Sequence, residues 1–187
     1  MKARAEIKED LERANNPYRS TPAVIKNIQD ESPNIKTFEL EPEEPLEFAT
    51  GEFVQLSVPG LGEAPFTPSS SPNVKEKMEI TIMEAGEVTG KLHRTPAGET
   101  LGVRGPYGHG YPLEEMKNRD ILVVGGGVGL APLTSLLYML LDKPDDYGKI
   151  SLKYGARTPE HLIYRDQLDD WDNGSVIDLE LTVDEGD

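Results

Sequence analysis

Between Ile121 and Leu141 the chain reads ILVVGGGVGLAPLTSLLYMLL, twenty-one positions without a charge. A run of that length could cross a membrane as one helix. Four glycines in its first half and a proline just past the midpoint break that helix, and charged, strand-like sequence comes at once after it, so no membrane insertion is expected. The pattern predicts a buried strand over Ile121–Val124, a glycine-rich turn over Gly125–Gly129 and a helix opening at Ala131–Pro132. In such a strand–turn–helix, free backbone N–H groups and the positive end of the helix dipole converge on one point, which suits a phosphate. Gly127 and Gly129 let a ligand approach where a Cβ would intrude, and Pro132 fits the first helical turn, where its missing N–H costs nothing. A structural turn without a ligand remains the alternative, because a lone glycine-rich match is weak.

Beyond this stretch the chain alternates. Strand Lys149–Tyr154, a helix over Pro159–Asp170 and strand Val176–Val183 complete a βαβαβ pattern, the mark of a parallel, doubly wound sheet. The final residues, Val183–Asp187, resemble the start of a loop, so the chain is expected to be a fragment or to be completed by a partner.

Ahead of the apolar stretch the period is different. Pro22–Gln29, Ile35–Glu41, Glu52–Val58, Met78–Met83 and Thr100–Arg104 alternate or are β-branched, punctuated by Pro, Gly, Asn and Glu. An antiparallel barrel or sandwich is expected, with a short helix at Val88–Arg94. Residues 1–16 carry Ala3, Ile7, Leu11 and Ala14 at helical spacing, an amphipathic helix that packs on its own domain or docks a partner. The chain thus divides into three units: helix 1–16, barrel 17–114 and nucleotide domain 115–187.

Charge and cysteine content remove several functions. A net charge of −15 opposes nucleic-acid binding, which needs clustered Lys and Arg. With no cysteine, no cysteine-ligated iron–sulfur cluster can form in this stretch, and the three histidines have no metal-ligand spacing. A charged beginning without an apolar core gives no secretory signal, so the cytoplasm is the expected compartment.

The barrel carries two more candidates. Ala64–Pro72, APFTPSSSP, places an aromatic beside a hydroxyl on a chain stiffened by prolines. Phe66 could stack on a flat heterocycle and Thr67 could hydrogen-bond a ring nitrogen; a plain Pro/Ser loop is the competing interpretation. Gly86–Gly90, GEVTG, opens a helix after a strand and would leave the N–H groups of Val88 and Thr89 for an anion. Two helix-start sites, one per domain, suit two dinucleotide-like ligands meeting at a cleft.

In this order PFTPSSSP, GEVTGKL, VRGPYGHGYP, VVGGGVGLAPL and LKYGARTPEHLIYRDQL resemble the ferredoxin–NADP reductase family of flavoproteins. Within it the chain is most similar to the NAD(P)H-linked subunits of multi-subunit iron–sulfur enzymes, such as the gamma subunit of soluble sulfhydrogenases and the corresponding subunit of anaerobic sulfite reductase. The resemblance implies an FAD-binding barrel followed by an NAD(P)-binding domain, with FMN a second choice for the flavin. It implies that Phe66 lies on the isoalloxazine and that Thr67, the candidate catalytic residue, faces and tunes N5, with Pro65, Pro68 and Ile82 also cofactor-binding. Gly86, Val88 and Thr89 match the segment for the FAD pyrophosphate. Gly127, Val128, Gly129, Leu130, Ala131 and Pro132 match the pyridine-nucleotide loop, with Arg157 within reach of the dinucleotide. Many relatives carry an Arg where Ala64 stands, so phosphate charge falls here to N–H groups with Lys91 or Arg94. NADP-preferring relatives place Arg or Ser after the third strand; Asp184 repels a 2′-phosphate and favours NADH.

The implied function is a diaphorase-type subunit that moves electrons between NAD(P)H and a partner iron–sulfur subunit through FAD. The alternative is a non-catalytic flavin-binding or structural subunit of a redox complex. A cofactor-free assembly module is the third possibility.

Overall fold

Period-two side chains build the first layer. The computed structural model describes residues 18–174 and 176–186, so the helix expected over residues 1–16 lies outside the described residues. Six strands form one antiparallel sheet: β1 (Thr21–Ser32), β2 (Ile35–Pro42), β3 (Phe53–Val58), β4 (Gly62–Phe66), β5 (Met78–Met83) and β6 (Thr100–Tyr107). Their order is β4-β3-β6-β1-β2-β5. Inward residues such as Ile25, Phe38, Leu40, Leu56, Ile80, Ile82 and Val103 are fully or almost fully buried and make one core. The chain after β4 reaches β5: Ser69 N–H donates to the Glu79 carbonyl at 2.8 Å, and Glu79 N–H donates to Ser70 Oγ at 3.0 Å. These two bonds bring the ends of the sheet together, which gives the expected barrel.

Strand β4 is a departure from the sequence expectation, which has no strand over Gly62–Phe66. Val54, Gln55 and Leu56 of β3 pair with Phe66, Pro65 and Ala64. Pro65 is tolerated because β4 is an edge strand that pairs on one side only. Helix α1 (Glu87–His93) comes after β5, and a short α2 (Leu113–Met116) comes after β6.

The second layer is parallel. Strands β7 (Ile121–Gly126), β8 (Ile150–Ala156) and β9 (Ile177–Val183) pair in that order. Helices α3 (Ala131–Asp142) and α4 (Arg165–Asn173) supply Leu136, Leu137, Leu140, Leu168 and Trp171 to a core shared with Val123, Ile150, Leu152, Tyr154 and Ile177. Those strand residues lie on one face of the sheet. On the other face Leu122 and Val124 are exposed beside Lys153 and Glu180, and Lys153 Nζ pairs with Glu180 at 2.7 Å.

The helix expected over Pro159–Asp170 begins later. A 3₁₀ turn spans Pro159–His161, Leu162 is extended, and Tyr164 is left-handed at φ 58°, ψ 40°. A left-handed residue cannot continue an α-helix, so α4 starts at Arg165. The cause is tertiary: barrel side chains, Glu31 and Thr81 among them, hold Tyr164 in place.

Candidate functional site

Two loops, one from each layer, form opposite walls of a cavity of about 320 Å³. The barrel wall is Pro65, Phe66, Thr67, Thr81 and Met83, and the other is Val128, Gly129, Ala131 and Pro132. That volume is within the usual range for small-molecule sites. Phe66 is half-buried: it packs against the barrel core and also lines the cavity. Its placement results from β4, whose period puts Ala64 and Phe66 on one side of the strand.

The glycine loop is a 3₁₀ turn, Gly127–Leu130, running directly into α3 with Pro132 in its first turn. Gly127 has φ +51°, a conformation that favours glycine, and a Cβ built on Gly127 or Gly129 meets no protein atom within 4 Å. The backbone therefore faces open space at the turn that leads into α3, although the Ala131 N–H is already bonded to the Val128 carbonyl within the 3₁₀ turn. Tyr154 props this loop from behind. Its hydroxyl donates to the Gly127 carbonyl at 3.2 Å and accepts from Ile163 N–H at 3.3 Å. Burial pushes the Tyr154 phenol above its ordinary pKa, so it stays neutral and able to donate.

The structure separates other predicted residues from this cavity. Ile82 points into the barrel core at 1% exposure, and its carbonyl bonds His93 Nε2 at 2.8 Å. Alternation along β5 accounts for this: Met78, Ile80 and Ile82 are inward. Thr81 and Met83, on the opposite face, line the cavity; the same period-two pattern could have singled them out in the sequence. The Leu130 side chain is fully buried, and Pro68 is buried next to Ser69 and Ser70.

Gly86 caps α1, and Thr89 Oγ1 accepts from the N–H groups of Ala85 and Gly86, both at 2.9 Å. Val88 packs partly against the barrel core. Lys91, in the last turn of this helix, and Arg94, at its C-terminal end, line a separate cavity of about 350 Å³ together with Val58 and Pro59. Arg157 and Asp184 are exposed just past the C-terminal ends of β8 and β9; Asp184 N–H donates to the Ala156 carbonyl at 3.1 Å.

A feature that sequence reasoning missed joins the two walls. Tyr164 is 4% exposed, and its hydroxyl shares a hydrogen bond with Thr81 Oγ1. Thr81 further shares bonds with Thr37 at 2.8 Å and Ser69 at 3.2 Å. Burial is the main cause that pushes the Tyr164 phenol up to about 12, so it remains neutral. The Tyr164 backbone is pinned as well: its N–H donates to Glu31 Oε2 at 2.9 Å, while Thr37 donates to Glu31 Oε1 at 2.7 Å. These contacts hold a left-handed tyrosine that would otherwise cost on the order of 1–3 kcal/mol.

A two-lobed arrangement with a cleft at the junction defines a class, and comparison with known proteins agrees. Residues 22–111 match the oxidoreductase FAD-binding domain, and residues 123–182 match the oxidoreductase NAD-binding domain. The chain thus belongs with the oxidoreductases that join an FAD-binding domain to an NAD-binding domain.

Individual proteins give more particular likenesses. The chain is 35% identical over 158 residues to sulfhydrogenase 2 subunit gamma of Pyrococcus furiosus, covering 82% of this chain and 54% of that protein. It is 37% identical over 150 residues to a probable dihydroorotate dehydrogenase B (NAD+) electron transfer subunit of Methanocella arvoryzae, covering 80% and 53%. The crystal structure of an Amycolatopsis cytochrome P450 reductase, GcoB, superposes with a TM-score of 0.78 over 90% of this chain and 53% of that one. At 24% identity that likeness shows the fold. The chain spans about half the length of the curated relatives it matches. No helix among the described residues is long and apolar enough to cross a membrane.

The residues present fit the two groups this class implies. The cleft has an aromatic and a hydroxyl on one wall, and on the other an unobstructed glycine backbone at a helix start.

Proposed function

We propose that this chain is an electron-transfer subunit that moves electrons between NADH and a partner iron–sulfur protein through bound FAD. The carrying observation is the cleft itself, where Phe66 and Thr67 stand opposite the Gly129–Pro132 helix start. Bound there, FAD supplies two-electron chemistry toward a nicotinamide and one-electron chemistry toward a metal centre. The chain supplies binding and orientation. Phe66 offers a face for stacking, and the Thr67 hydroxyl is the group placed to hydrogen-bond N5. Pro65 and Pro68 stiffen the strand end that carries them. The amides of Gly127, Val128 and Gly129 and the start of α3 receive a pyrophosphate, with Arg157 at the adjoining strand end. Gly86, Val88 and Thr89, backed by Lys91 or Arg94, meet the FAD phosphates in place of the arginine absent at Ala64. No side-chain acid or base is needed for hydride transfer.

The gamma-subunit and electron-transfer-subunit names of the relatives support a place within a larger redox complex. The test is direct. Purified protein mixed with FAD is expected to show a perturbed, quenched flavin spectrum that NADH bleaches anaerobically. Bound flavin that NADH does not bleach would favour a non-catalytic flavin-binding subunit, and unperturbed flavin would overturn both.

Asp184 carries a selectivity expectation. Its carboxylate stands at the end of β9, where it accepts from a ribose 2′-OH and repels a 2′-phosphate. Asp184→Arg is expected to raise the NADPH/NADH ratio of kcat/KM about tenfold, roughly 1.4 kcal/mol. An unchanged ratio in steady-state assays would remove Asp184 from the nucleotide site.

A further inference from the structure

We propose that Tyr164 is a positioning residue for hydride transfer, pinning the nicotinamide wall of the cleft to its flavin wall through a single buried hydroxyl. The inference rests on the electron-transfer function above and deepens it. The contact of the phenol with Thr81, which lines the cleft, carries it. Thr81 in turn shares a 3.2 Å bond with Ser69, two residues after Thr67 on the flavin loop. One oxygen of the nucleotide lobe is thus anchored just behind the surface that the barrel wall presents. From the other side, Tyr154 ties Ile163, the neighbour of Tyr164, to the Gly127 carbonyl. Tyr164 touches no lining surface itself. It acts through residues that do, and its left-handed backbone fits this constrained role.

Hydride transfer depends steeply on donor–acceptor geometry, and an ångström of misplacement can cost two orders of magnitude. Nucleotide binding depends far less on where the opposite wall stands. Removing the hydroxyl while keeping the ring should therefore lower the rate and leave affinity alone.

The test is Tyr164→Phe in FAD-loaded protein, beside Thr50→Val. Thr50 shares a 2.8 Å hydrogen bond with Ser135 at another point of the same interface, away from the cleft. For Tyr164→Phe the limiting rate of flavin reduction at saturating NADH should fall about tenfold, with KM within twofold. The amplitude of the flavin difference spectrum induced by saturating NAD+, which requires no turnover, should fall by half or more. Thr50→Val should change neither by more than twofold. Equal behaviour of wild type and Tyr164→Phe overturns the pin, and equal losses in both variants reduce it to general interface stability and overturn it too. A wild-type flavin that NADH fails to reduce contradicts the electron-transfer function instead. If Tyr164→Phe loses FAD on purification, Tyr154→Phe keeps Tyr164, cuts the tie from Ile163 to the Gly127 carbonyl and carries the same expectation, with an unaltered rate and spectrum overturning the pin.

Discussion

Gly129→Val will lower the kcat/KM for NADH-driven flavin reduction about 100-fold, close to 2.7 kcal/mol of transition-state stabilisation, while flavin binding persists. Gly129 lies on the cleft wall, and a Cβ built there meets no protein atom within 4 Å. Its φ is outside the left-handed region, so a valine adds no backbone strain. The fold can therefore accept the side chain, which must project into space that a pyrophosphate would occupy. Affinity for the pyridine nucleotide is then lost by exclusion. Phe66 and Thr67 are on the opposite wall, so the flavin spectrum of the variant should match that of the wild type. Stopped-flow reduction over a range of NADH concentrations measures the effect. A loss under threefold would show that the nucleotide binds elsewhere.

Leu137→Ala will cost about 3–4 kcal/mol of folding stability. Leu137 is completely buried on α3, in the core shared with Val123, Leu152, Ile163 and Trp171. Truncating a buried leucine loses its transfer free energy and leaves a cavity that a packed core closes only in part. For a chain of this size the corresponding fall in Tm is about 10 °C. Thermal melts of FAD-loaded protein measure it, with Leu137→Met as the volume-conserving comparison at under about 1.5 kcal/mol. A loss below about 1 kcal/mol for the alanine variant would mean that α3 is not packed against the sheet. Since α3 begins at the glycine loop, the same variant should also loosen NADH binding.

Strand β7, the glycine turn and helix α3 are legible in the sequence because every determinant is local, although β7 is an edge strand and its expected burial holds on one face only, Leu122 and Val124 being exposed. An apolar run names the strand, glycines name the turn, and Pro132 followed by leucines names the helix. The antiparallel strands are legible for the same reason, through their period of two. Strand β4 is not, because Pro and Gly suppress strand character and only its pairing with β3 reveals it. Family resemblance assigns Ile82 to the flavin site although its own strand's alternation points it inward, and it overlooks Thr81 and Met83 on the face that lines the cleft.

By itself, the order of motifs determined the class of this chain: a barrel with an aromatic–hydroxyl pair, then a glycine-rich helix start, with no cysteine for a cluster of its own. Only the tertiary structure decided which side chains meet. Tyr164 bonds Thr81 across 83 positions of sequence and Glu31 across 133, and nothing near Tyr164 announces either contact. Propensity and periodicity are properties of neighbouring residues. A left-handed tyrosine is stable only where a distant hydroxyl and a carboxylate converge on it, and that convergence exists only once the two lobes have packed.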